Sequence, residues 1–356
     1  MSAVRGRILC VAGEESGDRL LAPIVRGLVD RGFEPVGVGG QACVAAGLQC
    51  VTAFDGLAGG GFIDALGTLP RAIAAFRRLS ATLERCDGAV LVDFPEVNTR
   101  LLQRASVLRR PVFYLGPPQA WAWRPWRAKT MQLATEVGCL FEFEAAWYRA
   151  RGVAAHWVGH PLGAAAPMPI LTNETGLLPG SRAPRAKRLL RVMLAAVERR
   201  GERRVHLGLA PSLSPSDVAP ILDGTSVEVE IHAGAQSALA ACGRVLVGAG
   251  TATLDAATAR RPMVILGRVH PVSAFLARRW IGTPYFGLPN LILGVEAFPE
   301  CVQSDCTPER VAEGLSALED RAWSSVFDRL GEALGGRAWR EQLEARLDAF
   351  IQHFGV

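Results

Sequence analysis

The sequence lacks several features that mark special classes of protein. Its 356 residues contain no apolar run near the roughly 20 residues that a membrane-spanning helix needs. No signal peptide precedes the first predicted strand, which begins at Arg7. The eight cysteines include no C-x-x-C pair and no metal-binding spacing with histidine. We therefore expect no metal site, no disulfide framework and a cytoplasmic location.

Fixed-period repeats and low-complexity tracts are also missing from the sequence. With 49% hydrophobic and 21% charged residues, the chain has enough apolar material for a large core, which excludes extended disorder. Its length suits two domains. The net charge of +5, carried mostly by arginine, fits an anionic surface or substrate and requires no nucleic acid.

Short β-rich runs alternate with amphipathic segments along most of the chain. This alternation predicts an α/β fold in which doubly wound parallel sheets carry helices on both faces. A proline-containing segment at 164–172 divides the pattern and is the natural linker. The expected strands are 7–12, 34–38, 88–93, 111–115, 137–141 and 154–158, then 175–178, 204–209, 227–232, 244–247 and 263–266.

We therefore predict two Rossmann-like domains that face each other across a cleft. The first spans residues 1–167 and the second spans residues 168–330. The remaining segment, 331–356, has a helical pattern and is expected to cross back to the first domain. Ligands of such sheets bind at the carboxyl ends of the strands, so the loops there are the candidate sites.

Two loops of the first domain carry candidate residues. Gly13 to Asp18 joins the first strand to the first helix, and we expect Ser16 or Asp18 to cap that helix beside an anion or a polar sugar group. Asp93 and Glu96 follow the strand at 88–93, where a carboxylate suits a general base that deprotonates an acceptor hydroxyl. The alternative is that either acid only caps the next helix.

Two loops of the second domain have the pattern of a nucleotide site. Pro179-Gly180-Ser181-Arg182 ends a strand and precedes a basic helix, an arrangement that suits a diphosphate. Gly248 to Asp255 repeats the pattern, and Asp255 is expected to bond the hydroxyls of a ribose. Two such loops in one domain favour a nucleotide more strongly than either alone.

Two further segments are unusual. The loop from Leu115 to Pro125 contains two tryptophans and an arginine, and it either binds a ligand or packs under a neighbouring domain. In the segment 57–83, an apolar helical stripe is flanked by arginines, which is typical of a helix that lies on an anionic bilayer. The alternative is a surface helix whose stripe faces the core. The predicted membrane contacts are Ile63, Leu66, Leu69, Ile73 and Phe76, and Leu83 continues the stripe.

Six motifs occur together in an order that resembles the lipid-A-disaccharide synthases, bacterial glycosyltransferases of the GT-B architecture. The motifs are Gly13-Glu14 with Ser16-Gly17-Asp18, Trp121-Ala122-Trp123-Arg124, Val158-Gly159-His160-Pro161-Leu162, Leu177-Leu178-Pro179-Gly180-Ser181-Arg182, Gly250-Thr251-Ala252-Thr253-Leu254 and Leu288-Pro289-Asn290. The resemblance implies an inverting transfer of 2,3-diacylglucosamine from UDP-2,3-diacylglucosamine to 2,3-diacylglucosamine 1-phosphate. The products would be a β-1,6 disaccharide and UDP.

The resemblance also implies roles for individual residues. Glu96 is the expected general base, with Asp93 as the near alternative. No metal or other cofactor is expected. Acylated substrates imply a peripheral enzyme on the cytoplasmic face of the inner membrane, with no nucleic-acid partner. Both a monomer and a homodimer fit the sequence. The expected substrate-binding residues are Ser16, Asp18, Asn98, Trp123, Arg124, Ser181, Arg182, Gly250, Thr251, Asp255 and Asn290.

Several positions depart from the family pattern. Glu96 stands where the family has aspartate, and Asp255 stands where it has glutamate. Ala249 replaces a serine, and Val295 replaces an arginine. Two alternatives therefore stay open: a related transferase that uses another UDP-sugar, and a non-catalytic relative that binds a nucleotide or a lipid.

Overall fold

The computed structural model describes residues 4–52, 64–122, 124–268, 285–319 and 321–354, with side chains from residue 73 onward in the helix that begins at residue 64. The chain divides into two compact units, residues 1–161 with 337–356 and residues 162–336. The sequence places these boundaries at 167 and 330. The cleft between the domains stays a prediction.

The first unit is built on a parallel sheet with strand order β3-β2-β1-β4-β5-β6-β7. Every strand pair in it is parallel. The strands are β1 (Gly6–Ala12), β2 (Phe33–Val38), β3 (Gln49–Cys50), β4 (Gly88–Val92), β5 (Val112–Leu115), β6 (Glu136–Cys139) and β7 (Ala155–Trp157). Its helices are α1 (Glu15–Asp30), α2 (Gln41–Ala46), α3 (Asp64–Leu83), α4 (Pro95–Val107), α5 (Ala128–Met131), α6 (Glu142–Arg149) and the C-terminal α14 (Trp339–Ile351).

The second unit repeats the design with strand order β10-β9-β8-β11-β12-β13, again all parallel. The strands are β8 (Thr175–Leu178), β9 (Arg204–Leu209), β10 (Glu228–Ala233), β11 (Arg244–Gly248), β12 (Met263–Gly267) and β13 (Glu300–Val302). Its helices are α7 (Ala183–Arg199), α8 (Pro215–Leu222), α9 (Gly234–Ala241), α10 (Ala252–Thr258), α11 (Leu288–Leu293), α12 (Pro308–Ala317) and α13 (Ser324–Ala333).

Helices cover both faces of the first sheet, which explains why its central strands are apolar throughout. Leu9 and Val11 of β1 belong to one core cluster, and Ile8 and Cys10 belong to the cluster on the opposite face. Because side chains alternate along a strand, a continuous apolar run fills both layers. Helix α14 completes the second of these clusters, where Phe350 packs on Phe113 with ring centroids 6.1 Å apart.

The predicted doubly wound α/β class is confirmed, with small differences at the edges. The sequence patterns predict no strand at β3 or β13, which have two and three residues and lie at the sheet edges. Strands this short give no measurable alternation. Helix α1 begins at Glu15 with Glu14 as its N-cap residue and no side-chain cap, so the expected capping by Ser16 or Asp18 is wrong.

Each sheet has one place where the chain reverses the direction in which strands are added. In the first unit this place lies between β1 and β4, and in the second it lies between β8 and β11. At this place the loops after two adjacent strands run to opposite faces of the sheet. They therefore leave a crevice at the carboxyl ends of the strands. All four candidate loops of the sequence analysis follow these four strands.

Candidate functional site

A turn of four residues, 93–96, connects β4 to α4 and is called the acidic turn below. Asp93 and Phe94 have φ angles of 47° and 48°, the left-handed region that residues other than glycine rarely adopt. Such a conformation costs about 1–3 kcal/mol per residue and persists only where the surroundings hold it. Two consecutive residues of this kind indicate a turn whose shape is fixed by its neighbours.

Buried polar groups supply that support from below the turn. Asn98 Nδ2 donates to the Asp93 carbonyl at 2.8 Å and to the Val92 carbonyl at 3.0 Å. Tyr114 Oη donates to the same Asp93 carbonyl at 2.8 Å. Asn98 and Tyr114 have no exposed surface, so both act as positioning residues. The predicted contact of Asn98 with substrate stays a prediction.

The first loop of the unit meets the acidic turn through Gly13. A Cβ atom at Gly13 would lie 2.4 Å from Cγ of Phe94, well inside van der Waals contact. The Phe94 ring therefore occupies the space that any larger residue at position 13 requires. This contact brings the loop that contains Glu14 and Ser16, both exposed, beside the acidic turn.

The acidic turn concentrates negative charge. The pKa of the Asp93 carboxyl is raised to about 6, first because protein atoms displace part of its hydration and then because of the nearby charge of Glu14 and Glu96. Glu96 is exposed in the first turn of α4. A carboxylate whose pKa lies close to neutrality suits a general base, since it is ionised at pH 7 yet still accepts a proton.

Asp18 has a structural role where the sequence predicts a ligand contact. Its carboxylate is buried and accepts three backbone N–H groups, from Gly40 at 2.7 Å, Ala42 at 3.0 Å and Cys43 at 3.1 Å. These amides belong to the first turn of α2 and the residue before it. Asp18 therefore caps α2, a helix that follows it by more than twenty residues, and its predicted substrate contact is replaced by this role.

The tryptophan-rich loop is anchored within the first unit. Trp121 is buried, and its indole Nε1 donates to Glu144 Oε1 at 3.1 Å. Its ring meets Phe143 edge to face with centroids 4.9 Å apart. Arg124, with φ of 59°, starts the 3₁₀ turn at Pro125–Arg127. Trp123 lies outside the described residues.

Glu144 is a buried acid that sequence reasoning does not select. Burial raises the pKa of its carboxyl to about 8, against the opposing effect of the Trp121 N–H and of backbone amides. The carboxyl is therefore largely protonated at pH 7. The only signal in the sequence is a glutamate between Phe143 and Ala145, which reads as an exposed position of a surface helix.

In the second unit, residues 179–185 at the β8–α7 junction form what is called the cationic turn below. Gly180 has a φ of 101°, and no atom lies within 4 Å of its Cβ position. Ser181 and Arg182 are exposed, and Arg182 is the N-cap residue of α7. The pKa of Arg185 is lowered, first by burial and then by repulsion from Arg182. Two guanidinium groups thus lie near one helix N-terminus.

The glycine loop after β11 adjoins the cationic turn. Arg185 Nη2 donates to the Ala249 carbonyl at 3.0 Å. Thr251 is exposed at the start of α10, and Gly250 has open space around its Cβ position. Asp255 Oδ1 accepts from Gln236 Nε2 at 3.2 Å. The structure therefore brings Ser181, Arg182, Gly250 and Thr251 together at one sheet edge, with Asp255 a turn further along α10.

Asn290 is a second correction to the predicted ligand contacts. Its side chain is fully buried, and Nδ2 donates to the Phe298 carbonyl and to Glu300 Oε1, both at 2.8 Å. Oδ1 accepts from the amides of Ala297 and Phe298, both at 2.9 Å. Every hydrogen-bonding position of the amide is used within the protein. Asn290 therefore holds the chain after α11 in place and has no group left for a ligand.

The described side chains of helix α3 show part of the predicted membrane stripe. Leu83 is fully buried, and Phe76 is half-buried against the first core cluster, so this half of the stripe faces the core. Ile73 is 39% exposed. The side chains of Leu66 and Leu69 and the whole of Ile63 lie outside the described residues. No described helix is both long and apolar enough to cross a bilayer.

Comparison with known sequences decides the family. A family model described as Lipid-A-disaccharide synthetase matches residues 8–322. The chain belongs to the lipid-A-disaccharide synthase family. A lipid-A-disaccharide synthase of Azotobacter vinelandii is 35% identical, over 96% of this chain and 97% of the relative. The corresponding protein of Nitrosococcus oceani is 33% identical, over 88% of this chain and 87% of its own.

Solved structures agree on the fold. The calicheamicin glycosyltransferase CalG4 matches with a TM-score of 0.59 at 17% identity, over 96% of this chain and 98% of CalG4. A putative UDP-N-acetylglucosamine 2-epimerase from Listeria monocytogenes matches with a TM-score of 0.65 at 14% identity, over 99% and 98% of the two chains. At such identities the likeness shows the GT-B fold of this family member and not its reaction.

Proposed function

We propose that this family member is a lipid-A-disaccharide synthase, which transfers 2,3-diacylglucosamine from UDP-2,3-diacylglucosamine to 2,3-diacylglucosamine 1-phosphate. The family match over residues 8–322 is the observation that carries this proposal. The acidic turn and the cationic turn support the proposal. Each lies where the strand order of its sheet reverses, and the two carry opposite charge. Inverting transfer of a sugar from a UDP-sugar needs a base for the acceptor hydroxyl and a group that binds the departing UDP.

The acidic turn supplies the base in this mechanism. A carboxylate of Asp93 or Glu96 takes the proton from the 6-hydroxyl of the acceptor as that oxygen attacks the anomeric carbon. Attack on the face opposite the departing UDP inverts the anomeric configuration and gives the β-linkage. The fixed backbone of Asp93 and its raised pKa favour this residue, and the family resemblance favours Glu96.

The cationic turn binds the leaving group. Arg182 and the first amides of α7 face a negative charge favourably, because guanidinium and helix N-terminus both carry positive charge. Gly180 and Gly250 leave room for a diphosphate close to the backbone. Stabilising the charge that develops on UDP is worth about 3 kcal/mol per well-placed donor. The proposed reaction uses no cofactor besides its sugar nucleotide.

A peripheral position on the cytoplasmic face of the inner membrane is part of the proposal, because both substrates carry acyl chains. Exposed Ile73 lies on the same helix as Arg77 and Arg78, which are also exposed. An apolar side chain near two cations suits the surface of an anionic bilayer. A homodimer stays one of two predicted oligomeric states, beside the monomer.

The test is the release of UDP by the purified protein when it receives both acylated substrates, with the disaccharide identified by mass spectrometry. Arg182→Ala should slow the release, whereas Arg191→Ala, an exposed arginine further along α7, should not. Release with another UDP-sugar and none with UDP-2,3-diacylglucosamine would identify a different transferase. UDP binding in calorimetry without turnover of any acceptor would identify a non-catalytic relative.

A further inference from the structure

Two histidines and a glutamate meet on one face of the second sheet, apart from the loops at its carboxyl edge. Glu230 on β10 pairs directly with His206 on β9, and His232 lies two residues further along β10. Since side chains alternate across a strand, all three project from the same face. Val205 and Leu207 point to the opposite face and enter the core cluster of this unit.

The three side chains present ligand atoms at the spacing of a metal site. His206 Nδ1 lies 2.9 Å from His232 Nε2, and each of these nitrogens lies 3.6 Å from an oxygen of Glu230. Bonds of about 2.0–2.2 Å to a tetrahedral Zn²⁺ place neighbouring ligand atoms about 3.3–3.5 Å apart. The N–N distance is shorter than this, and the two N–O distances are slightly longer and end on different oxygens of Glu230. Rotation of the two imidazoles apart and of the carboxylate toward them would complete one face of a tetrahedron.

Glu174, the residue before β8, fixes the ring of His206. Its Oε2 lies 2.6 Å from His206 Nε2, which holds the proton on Nε2 and leaves Nδ1 as the free base. A carboxylate that accepts the second N–H of an imidazole is the usual support of a metal-binding histidine. In this chain the carboxylate is present on the side of the ring away from His232 and Glu230.

The charges around the cluster also favour a cation. Three carboxylates surround the cluster, those of Glu174, Glu228 and Glu230. Among the described ion pairs, Arg204 contacts Glu230 Oε2 at 2.5 Å and Glu228 at 3.7 Å, whereas Glu174 pairs with His206. The three carboxylates and the one guanidinium together leave about the negative charge that one divalent ion neutralises. Arg204 bonds only one oxygen of Glu230, and the other oxygen lies toward His232.

Burial differs across the cluster in the way a metal site requires. The His206 side chain is 5% exposed, His232 is 14% exposed and Glu230 is 41% exposed. Two ligands are therefore held by the protein interior, and the third lies at the surface, where an ion enters and keeps a water ligand.

We propose that His206, His232 and Glu230 bind a first-row divalent cation, best matched by Zn²⁺, which joins edge strand β10 to β9. Imidazole and carboxylate ligands suit Zn²⁺ in tetrahedral geometry. β10 has a half-exposed burial pattern and a strand neighbour on one side only. The ion adds a bond between two strands that already share the backbone ladder and the Arg204–Glu230 pair. This site is structural and separate from the reaction proposed above.

The test is a titration of the chelator-treated full-length protein with ZnCl₂ by calorimetry, with metal content measured after dialysis. All variants carry Cys50→Ser, since Cys50 is the exposed thiol among the described cysteines. We expect one Zn²⁺ per chain, a higher melting temperature with Zn²⁺, and a tetrahedral ligand-field spectrum with Co²⁺. Glu174→Gln should weaken binding about 10- to 100-fold, as loss of a supporting carboxylate does.

The matched control is His156→Gln. His156 also lies near a carboxylate, that of Glu136 at 3.5 Å, but the structure places no second imidazole against it within the described residues. We expect His232→Gln and Glu230→Gln to abolish the saturable binding while His156→Gln retains it. If His206→Gln fails to fold, these two more exposed variants carry the test. Equal Zn²⁺ binding in His232→Gln and His156→Gln, or no saturable binding at all, would overturn the proposal.

Discussion

The acidic turn and the cationic turn border the same kind of crevice in two sheets and have opposite character. The acidic turn follows the fourth strand of its sheet, and the cationic turn follows the first strand of its sheet. Each follows a central strand at the point where strand order reverses. The first presents Asp93 and Glu96 beside Glu14, and the second presents Arg182 near Arg185. One fold thus provides such a crevice twice, and the side chains beside it decide whether it attracts a proton or an anion.

The backbones of the two turns differ as much as their charges. The acidic turn places non-glycine residues, Asp93 and Phe94, in the left-handed region and holds them with Asn98 and Tyr114. The cationic turn uses Gly180, with nothing near its Cβ position. A general base must keep a fixed position relative to the acceptor hydroxyl that it deprotonates. A diphosphate site instead needs space and accessible backbone amides. The four predictions that follow test this contrast.

The largest effect is expected in the acidic turn. Replacing the base by its amide, Asp93→Asn or Glu96→Gln, should reduce kcat by about 10²- to 10⁴-fold, the usual contribution of a general base. The wild-type rate should fall as the pH drops below about 6, because the raised pKa of Asp93 means that its carboxylate takes up a proton there. Steady-state kinetics from pH 5 to 8, roughly the range around this pKa, measure both effects.

The pH profile of each variant separates the two acids. If Asp93 is the base, Asp93→Asn removes the acidic limb and Glu96→Gln keeps it. If the limb persists in Asp93→Asn and kcat falls only in Glu96→Gln, then Glu96 is the base. Unchanged kcat in both variants contradicts a catalytic role for this turn.

The next effect is expected in the cationic turn. Arg182→Ala should raise KM for the UDP-sugar about 10- to 100-fold, since a hydrogen bond to a charged group is worth about 1.5–3 kcal/mol. Calorimetry with UDP should show the same loss in affinity. Arg191→Ala is the control on the same helix. An equal loss in both variants would mean that only the overall charge of α7 matters.

A smaller effect on stability should follow from adding a side chain at Gly13, which contacts the Phe94 ring. Gly13→Ala places a Cβ atom 2.4 Å from the Phe94 ring, and we expect the strain to cost about 1–3 kcal/mol of unfolding free energy. Gly17→Ala is the matched control, because its Cβ meets its nearest atom at 3.4 Å within helix α1. Urea denaturation measures both. Equal stability of the two variants would show that the ring moves aside freely.

The smallest effect at neutral pH concerns Glu144. Its pKa in the folded protein, about 8, exceeds the usual value for glutamate, so folding favours the protonated form. The stability that it contributes is complete in acid and is lost as the pH rises through about 8. Glu144→Gln keeps an acceptor for Trp121 and removes this titration. Denaturation midpoints should therefore decline between about pH 4.5 and 8 in the wild type and less in the variant; parallel declines contradict the assignment.

Sequence patterns predict the strands, the loops after them and the motifs, because strand alternation and glycine-rich turns are local signals. They fail where a partner is distant along the chain. Asp18 reads as a ligand contact because its partners, the amides of 40–43, follow by more than twenty residues. His206 and His232 show no metal spacing, yet the pairing of β9 with β10 brings them to 2.9 Å.

The stripe on α3 illustrates a different limit. Apolar periodicity identifies a helix with one apolar face but does not say what covers that face. Leu83 is buried in the core, Phe76 is half-buried against it, and Ile73 is exposed. The sequence therefore predicts the helix and leaves both environments open, and the structure shows that Leu83 faces the core.

The place of helix α14 at the end of the chain affects how the first unit folds during synthesis. Its residues Leu347 and Phe350 fill the core of the first unit, although the whole second unit precedes them in synthesis. The nascent chain therefore has an uncovered apolar surface around Phe113 while the ribosome translates the second unit. A premature stop before Trp339 would leave that surface permanently uncovered, a state prone to aggregation and to capture by chaperones.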